Sequence, residues 1–216
     1  MSMERGSRKV KAARTYDASG RQARAREQRA NALDAAQSLF LENGYVATTV
    51  ESISRAAGVS TATIYKTYGG KAGLARQLCQ RALEGAGPVP AETRSNALRS
   101  GADPRHVMEG WGRLTAEVSP RISPLVLLLR TAAQSDAEAA ALYDEIDNAR
   151  LKRMADNARF LVDAGHLRAG LTVRDARDVL WLCSAPELYE LCILRRRWPL
   201  SKFSRFITDT MVAALL

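Results

Sequence analysis

Cysteine, histidine and proline are scarce in this chain, at three, two and seven of 216 residues. The cysteines, Cys79, Cys183 and Cys192, include no CxxC pair and leave one without a mate, so neither a disulfide framework nor a zinc knuckle is expected and the thiols are expected to stay reduced. The two histidines, His106 and His166, fall in no metal-ligand motif, and no nucleophile elbow, phosphate-binding loop or dinucleotide fingerprint is present. No enzyme, no cofactor and no metal is therefore expected. Adjacent carboxylates such as Asp144 and Glu145 splay apart on a helix and read as solvated surface. No apolar run approaches the ~18 residues a membrane span requires. The basic N-terminus lacks the apolar centre of a secretory signal, so the chain is expected in the cytoplasm with no membrane partner.

Acidic residues are sparse in one region only. Through residue 80 there are 13 Lys and Arg against 6 Asp and Glu; the remainder has 19 against 17. Most of the formal charge of +9 therefore sits in the first third, as expected of a polyanion-binding end on a nearly neutral body. A solvated basic tail without a partner is the plainer alternative. With 46% hydrophobic and 25% charged residues, the chain has the composition of a globular protein.

Strand alternation is absent throughout, and the apolar spacing is helical from about residue 23 onward. Residues 1–22 read as a basic arm, either touching nucleic acid or merely solvated. Leu33, Ala36, Leu39 and Phe40 mark a first helix over 23–42, stopped by Asn43-Gly44. Thr48 and Glu51 have capping-box spacing ahead of a short helix carrying Val50, Ile53 and Ala57. Gly58 ends that helix, Val59 tucks inward and Ser60 caps the next, so two short helices cross steeply through a tight turn, as in a helix-turn-helix. Gly69-Gly70 closes the third helix, and a fourth follows with Leu74, Leu78 and Leu83 as inner positions.

Residues 85–104 form either a linker or a loop interrupted by a short helix around 91–99. Helices are then expected from Asp103-Pro104 to about 118, from 125 to about 134, over 137–164, over 175–195 and from 203 to the end. Ser184-Ala185-Pro186-Glu187 reads either as a cap or as a kink. The fold class is all-α: three helices in a small unit at 23–72, followed by a larger helical bundle at 73–216.

The third helix carries the functional reading. At 100° per residue Ile64 points one way with Ser60 and Tyr68, while Ala62, Thr63, Tyr65 and Lys66 point the other. That outer side has no acid and little bulk. Hydroxyls there can read base edges in a major groove, methyl groups can meet thymine, and Tyr or Lys can reach phosphates. A packing helix buried in a bundle explains Ile64 equally well but leaves the Thr, Tyr and Lys beside the basic end without a purpose.

The segment TTVESISRAAGVSTATIYKTYGGKAGL, residues 48–74, resembles the helix-turn-helix signature of the TetR family of bacterial transcriptional repressors. The likeness runs from the first helix through Leu78. It implies that Thr61, Ala62, Thr63 and Lys66 face bases, that Thr49, Tyr65 and Lys71 hold phosphates, and that Tyr68 closes the small domain. Thr67 also faces DNA, at a position where the family usually has His, and Gly69-Gly70 replaces a commoner polar pair. The closing stretch from Trp181 to Leu216 is similar to the last helices of such proteins, which pair two subunits. Trp181, Leu188, Tyr189 and Leu191 offer apolar surface for a homodimer, or else fill an ordinary core. The resemblance further implies a palindromic double-stranded operator and an unidentified small-molecule effector, with Met108, Trp111, Thr115, Leu128, Thr131 and Gln134 as candidate lining of its pocket. A helical enzyme or a non-specific basic interaction protein is the alternative function.

Overall fold

A computed structural model describes residues 18–85, 87–101 and 103–216; most of the basic arm lies outside the described residues. The chain runs α1 (Ala18–Asn43), α2 (Val50–Ala57), α3 (Thr61–Tyr68), α4 (Lys71–Glu84), α5 (Ala91–Leu98), α6 (Pro104–Ala132), α7 (Ala137–Asp163), α8 (Val173–Cys183), α9 (Pro186–Tyr189) and α10 (Leu200–Leu215), with a π-helical turn at Glu190–Arg195 carrying α9 onward. No strand occurs among the described residues, so the all-α expectation holds.

Four local expectations need correction. First, α1 starts at Ala18, so residues 18–22 belong to a helix rather than to the arm. Ala, Arg and Gln favour helix without needing burial, which apolar periodicity cannot register. Second, the cap of α2 falls one residue later than expected. Thr49 accepts from the Ser52 N–H at 3.1 Å and Ser52 reciprocates to the Thr49 N–H, whereas the Thr48 hydroxyl is buried and donates to the Gly44 carbonyl at 2.8 Å. Third, Leu83 is exposed, because it lies 180° around the helix from Leu74, and Ala75, Cys79 and Ala82 complete the inner stripe instead. Fourth, α6 passes unbroken through Pro120 and Pro124. Each proline removes only one backbone bond, and burial of Ala116, Ser119, Ser123, Leu125 and Val126 around them holds the helix together. At 184–187 the structure chooses a fresh start: α8 stops at Cys183 and Pro186 opens α9 as its first residue.

Two apolar clusters organise the molecule. One gathers Phe40, Tyr45, Ile53, Ile64, Leu74 and Leu78 from the first four helices, and it also takes Leu125 and Leu129 from the end of α6 and Leu142 from α7. The other packs the start of α6 (Val107, Met108, Trp111) against α7, α8 and α10 through Leu161, Leu180, Phe203 and Ile207. The expected boundary at 72/73 therefore runs through α4, and the small N-terminal unit does not close its core alone. Close approach of α6 to α10 depends on Gly112, where a Cβ would stand 2.1 Å from Thr208 Oγ1.

All three cysteines are buried and unpaired. Burial pushes the Cys79 thiol up to about 12 and the Cys183 thiol up to about 11. Since the thiolate is the reactive form, both are expected to resist iodoacetamide at pH 8 in the folded protein and to react on denaturation. Mass spectrometry of the quenched reaction checks this, and rapid native labelling of either residue would contradict it.

Candidate nucleic-acid interface

The geometry of α2 and α3 follows from short-range chemistry. Gly58 adopts the left-handed conformation (φ 66°), and the Val59 N–H bonds the Ser54 carbonyl at 3.2 Å, which turns the chain sharply. Ser60 then caps α3, its hydroxyl oxygen accepting from the Thr63 N–H at 3.1 Å. Ile64 is the one fully buried residue of α3 and pins it to the core. At its far end Gly69 takes the left-handed cap (φ 76°) and Gly70 has φ 118°, a conformation open essentially only to glycine. Tyr68 closes the unit by donating its hydroxyl to the Arg29 carbonyl of α1 at 2.9 Å, and burial holds that phenol above its usual range.

Ala62, Tyr65, Lys66 and Thr67 are exposed, with Thr61 and Thr63 half-buried beside them. Tyr65 keeps 54% of its surface accessible, a high value for an aromatic side chain, and no acid lies on the helix. The Thr63 hydroxyl lies 2.8 Å from that of Ser60, which leaves one of the pair an unused donor. Thr49 stands exposed at the start of α2; its oxygen accepts from the Ser52 N–H, so its hydroxyl hydrogen is free to donate outward. The α3 residues thus present small, hydroxylated, aromatic and cationic groups to solvent.

Lys71 does not join them, contrary to the phosphate role the resemblance implies. Its Nζ donates to the Tyr45 carbonyl at 3.1 Å, lies 4.2 Å from the centre of the Tyr45 ring and stands 3.8 Å from Asp136 Oδ2. The flexible four-carbon stem lets the ammonium fold back onto a carbonyl, a ring face and a carboxylate at once. Asp136 is in turn the N-cap of α7, accepting from the Ala139 N–H at 2.9 Å. Lys71 thus ties the helix-turn-helix unit to the body. Arg76 of α4 reinforces the tie with a two-pronged pair to Glu145 of α7. Nothing in the local sequence signals either partner, because both lie far along the chain.

The candidate effector residues do not converge on one cavity. Met108 and Trp111 are buried in the second cluster and Thr115 is half-buried on the same side of α6; Leu128 packs on the first cluster, and Thr131 and Gln134 are exposed. Rotation of 100° per residue carries 128 and 131 towards the opposite side of α6 from 108, 111 and 115, ~1.5 Å of rise per residue separates the two groups along it, and Gln134 lies in the turn beyond its end. Among the described residues no group of His, Cys, Asp or Glu could hold a metal ion, and no helix is long and apolar enough to cross a membrane.

A capped α2, a glycine turn and an acid-free α3 with its outer side in solvent define a helix-turn-helix DNA-binding unit carried on a helical body. Residues 32–78 match the model of the bacterial regulatory proteins of the tetR family, so the helix-turn-helix unit at the start of the chain is of that kind. Among solved structures, NalD of Pseudomonas aeruginosa, the secondary repressor of the MexAB-OprM multidrug efflux pump, superposes with a TM-score of 0.70 at 22% identity, covering 89% of this chain and 98% of its own. SmeT, in complex with triclosan, gives 0.68 at 18% identity, covering 88% and 91%. PfmR, a TetR-family regulator of Thermus thermophilus, gives 0.60 at 21%, covering 86% and 98%. At these identities the likeness establishes a shared fold along most of the chain. Among curated protein sequences no match is found.

Proposed function

We propose that the protein is a homodimeric repressor that holds an imperfectly palindromic operator through α3 and leaves it when a small molecule binds the helical body. The observation that carries this reading is the solvent exposure of Ala62, Tyr65, Lys66 and Thr67 on an acid-free helix whose other side is pinned by Ile64 and Tyr68. In this reading Thr61, Ala62, Thr63, Lys66 and Thr67 face base edges, while Thr49 and Tyr65 hold phosphates. The unit at 23–72 reads DNA, the rest of the chain pairs and senses, and the protein works in the cytoplasm.

Pairing is supported by Leu182, Leu191, Leu194 and Phe206, large apolar side chains exposed on α8, the π-helical turn and α10. Two-fold pairing would set two recognition helices ~34 Å or a little more apart, one DNA turn. Repression has its precedent in NalD and a small apolar effector in SmeT with triclosan. Met108, Trp111 and Thr115, which share one side of α6, are the effector contacts of this reading. An effector must bind the DNA-incompetent state better than the competent one; a coupling of about 1–3 kcal/mol shifts operator affinity roughly 5- to 150-fold.

Selection of bound duplexes from a random pool tests the reading. Two similar inverted half-sites are expected. Lys66→Ala should weaken binding and relax the preference at one position of each half-site, by about 1–3 kcal/mol of discrimination. Thr63→Leu should abolish specific binding with helix content unchanged. Recovery of no common sequence at any salt concentration would defeat the proposal.

A further inference from the structure

The first fully buried residue of α1 is Ala32, and residues 22–31 are all exposed. At ~1.5 Å per residue the helix therefore runs roughly 20 Å ahead of its first core residue, and only the part before Ala25, which lines the groove with α3, overhangs the domain. Residues 22–31 carry Arg24, Arg26 and Arg29 against a single acid, Glu27, and none of the three arginines forms an ion pair among the described residues. Elsewhere arginines are mostly spent on partners: Arg76 on Glu145, Arg81 on Asp34, Arg94 on Glu117, Arg130 on Glu187 and Arg150 on Asp147.

Where α1 passes α3 the two helices leave a groove of about 280 Å³. Ala25, Gln28 and Arg29 form its α1 wall; Thr63, Lys66 and Thr67 form the opposite wall. No carboxylate lines it, and the small Ala25 lets a backbone come close. The Tyr68 hydroxyl bond to the Arg29 carbonyl fixes the spacing of the walls. The α3 wall consists of residues that the proposed function directs at base edges. A duplex seated on them brings the sugar-phosphate backbone of one strand against the α1 wall.

We propose that this groove seats one operator strand, with Arg29 and Gln28 binding its phosphates, and that Arg24 and Arg26 of α1 carry the contact beyond the base pairs read by α3. The α1 contribution is then sequence-independent: it raises affinity and salt sensitivity without altering the bases preferred. This inference rests on the proposed operator binding by α3.

The test uses the full-length protein and the operator selected by the wild type, titrated across a range of salt concentrations. The variant R24Q/R26Q/R29Q keeps helix-favouring side chains and removes three charges. Its affinity should fall on the order of tenfold or more at moderate salt, with the slope of log K against log salt reduced by about 0.9 for each phosphate that is no longer neutralised. The sequence it selects should be unchanged. R24K/R26K/R29K should restore most of the slope, and Ala25→Glu, which places a carboxylate in the groove, should weaken binding with circular dichroism unaltered. Unchanged slope and affinity in the glutamine variant, with the operator still selected, would overturn the α1 proposal and leave base reading by α3 standing. Failure of the wild type to select any operator would overturn both.

Discussion

Gly73→Ala is expected to yield a protein that no longer binds duplex DNA specifically and that unfolds more readily than the wild type. Gly73 lies in the first turn of α4, where the helix touches the last residue of α3: a Cβ there would stand 1.5 Å from the Tyr68 carbonyl oxygen and 2.7 Å from the carbonyl carbon. No rotamer change relieves a clash with backbone, so α3 and α4 must part. The cost should reach about 3 kcal/mol or more, the upper end of what overpacking produces. Separation also displaces Tyr68 from Arg29 and strains the Gly69-Gly70 join, which together set the pitch of α3. Gel shifts on the selected operator and thermal unfolding followed by circular dichroism check both halves of this expectation. Gly87→Ala, in an exposed loop with nearest neighbours 4.0 Å from the added carbon, serves as the control and should behave as wild type. Retained operator affinity in Gly73→Ala would mean that α3 is not positioned by α4.

Phe40→Ala is expected to destabilise the protein by about 3–5 kcal/mol, the range for removing a fully enclosed aromatic side chain. Phe40 has no exposed surface and sits 5.3 Å, ring centre to ring centre, from Tyr45, which is itself buried. Tyr45 carries the Lys71 ammonium over its ring, and its phenol oxygen is buried without a hydrogen-bond partner among the described residues. Burial first, then the charges of Asp136 and Glu138, hold that phenol above its usual range. A cavity at Phe40 would let Tyr45 shift and loosen Lys71 from Asp136. Because the same cluster includes Leu125, Leu129 and Leu142, the loss should appear as a lower midpoint for the main unfolding transition rather than as separate melting of the N-terminal helices. Chemical denaturation monitored by circular dichroism reads both features. A midpoint within about 1 kcal/mol of the wild type would contradict this account.

Local chemistry made much of the N-terminal unit legible in the sequence. Gly58 and Ser60 announced a tight turn because few other residues can take a left-handed stop and a cap, and Ile64 alone on α3 fixed which side faces inward. Long-range chemistry was not legible. Lys71 reads as a free cation until Asp136, far along the chain, is seen beside it. Arg29 stood in plain view within the basic stretch, but its place in a groove depends on α1 passing α3, which no periodicity encodes. Met108, Trp111, Thr115, Leu128 and Thr131 suit a pocket by residue type, but they spread over both sides of one helix because Pro120 and Pro124 do not break it. The overhang of α1 escaped notice for a related reason, since helix propensity without burial leaves no apolar stripe to read.

The uninterrupted α6 has a mechanical consequence. Its first half is embedded in one apolar cluster through Met108 and Trp111, and its second half in the other through Leu125 and Leu129, so a single rod is clamped at both ends. Between the clamps Pro120 and Pro124 have no N–H to donate, and the rungs that would have reached the carbonyls of Ala116 and Pro120 do not exist. With two rungs missing, that waist resists flexing less than the rest of the rod. A push on the Met108 end therefore arrives beneath the helix-turn-helix unit as a change of angle at a fixed place.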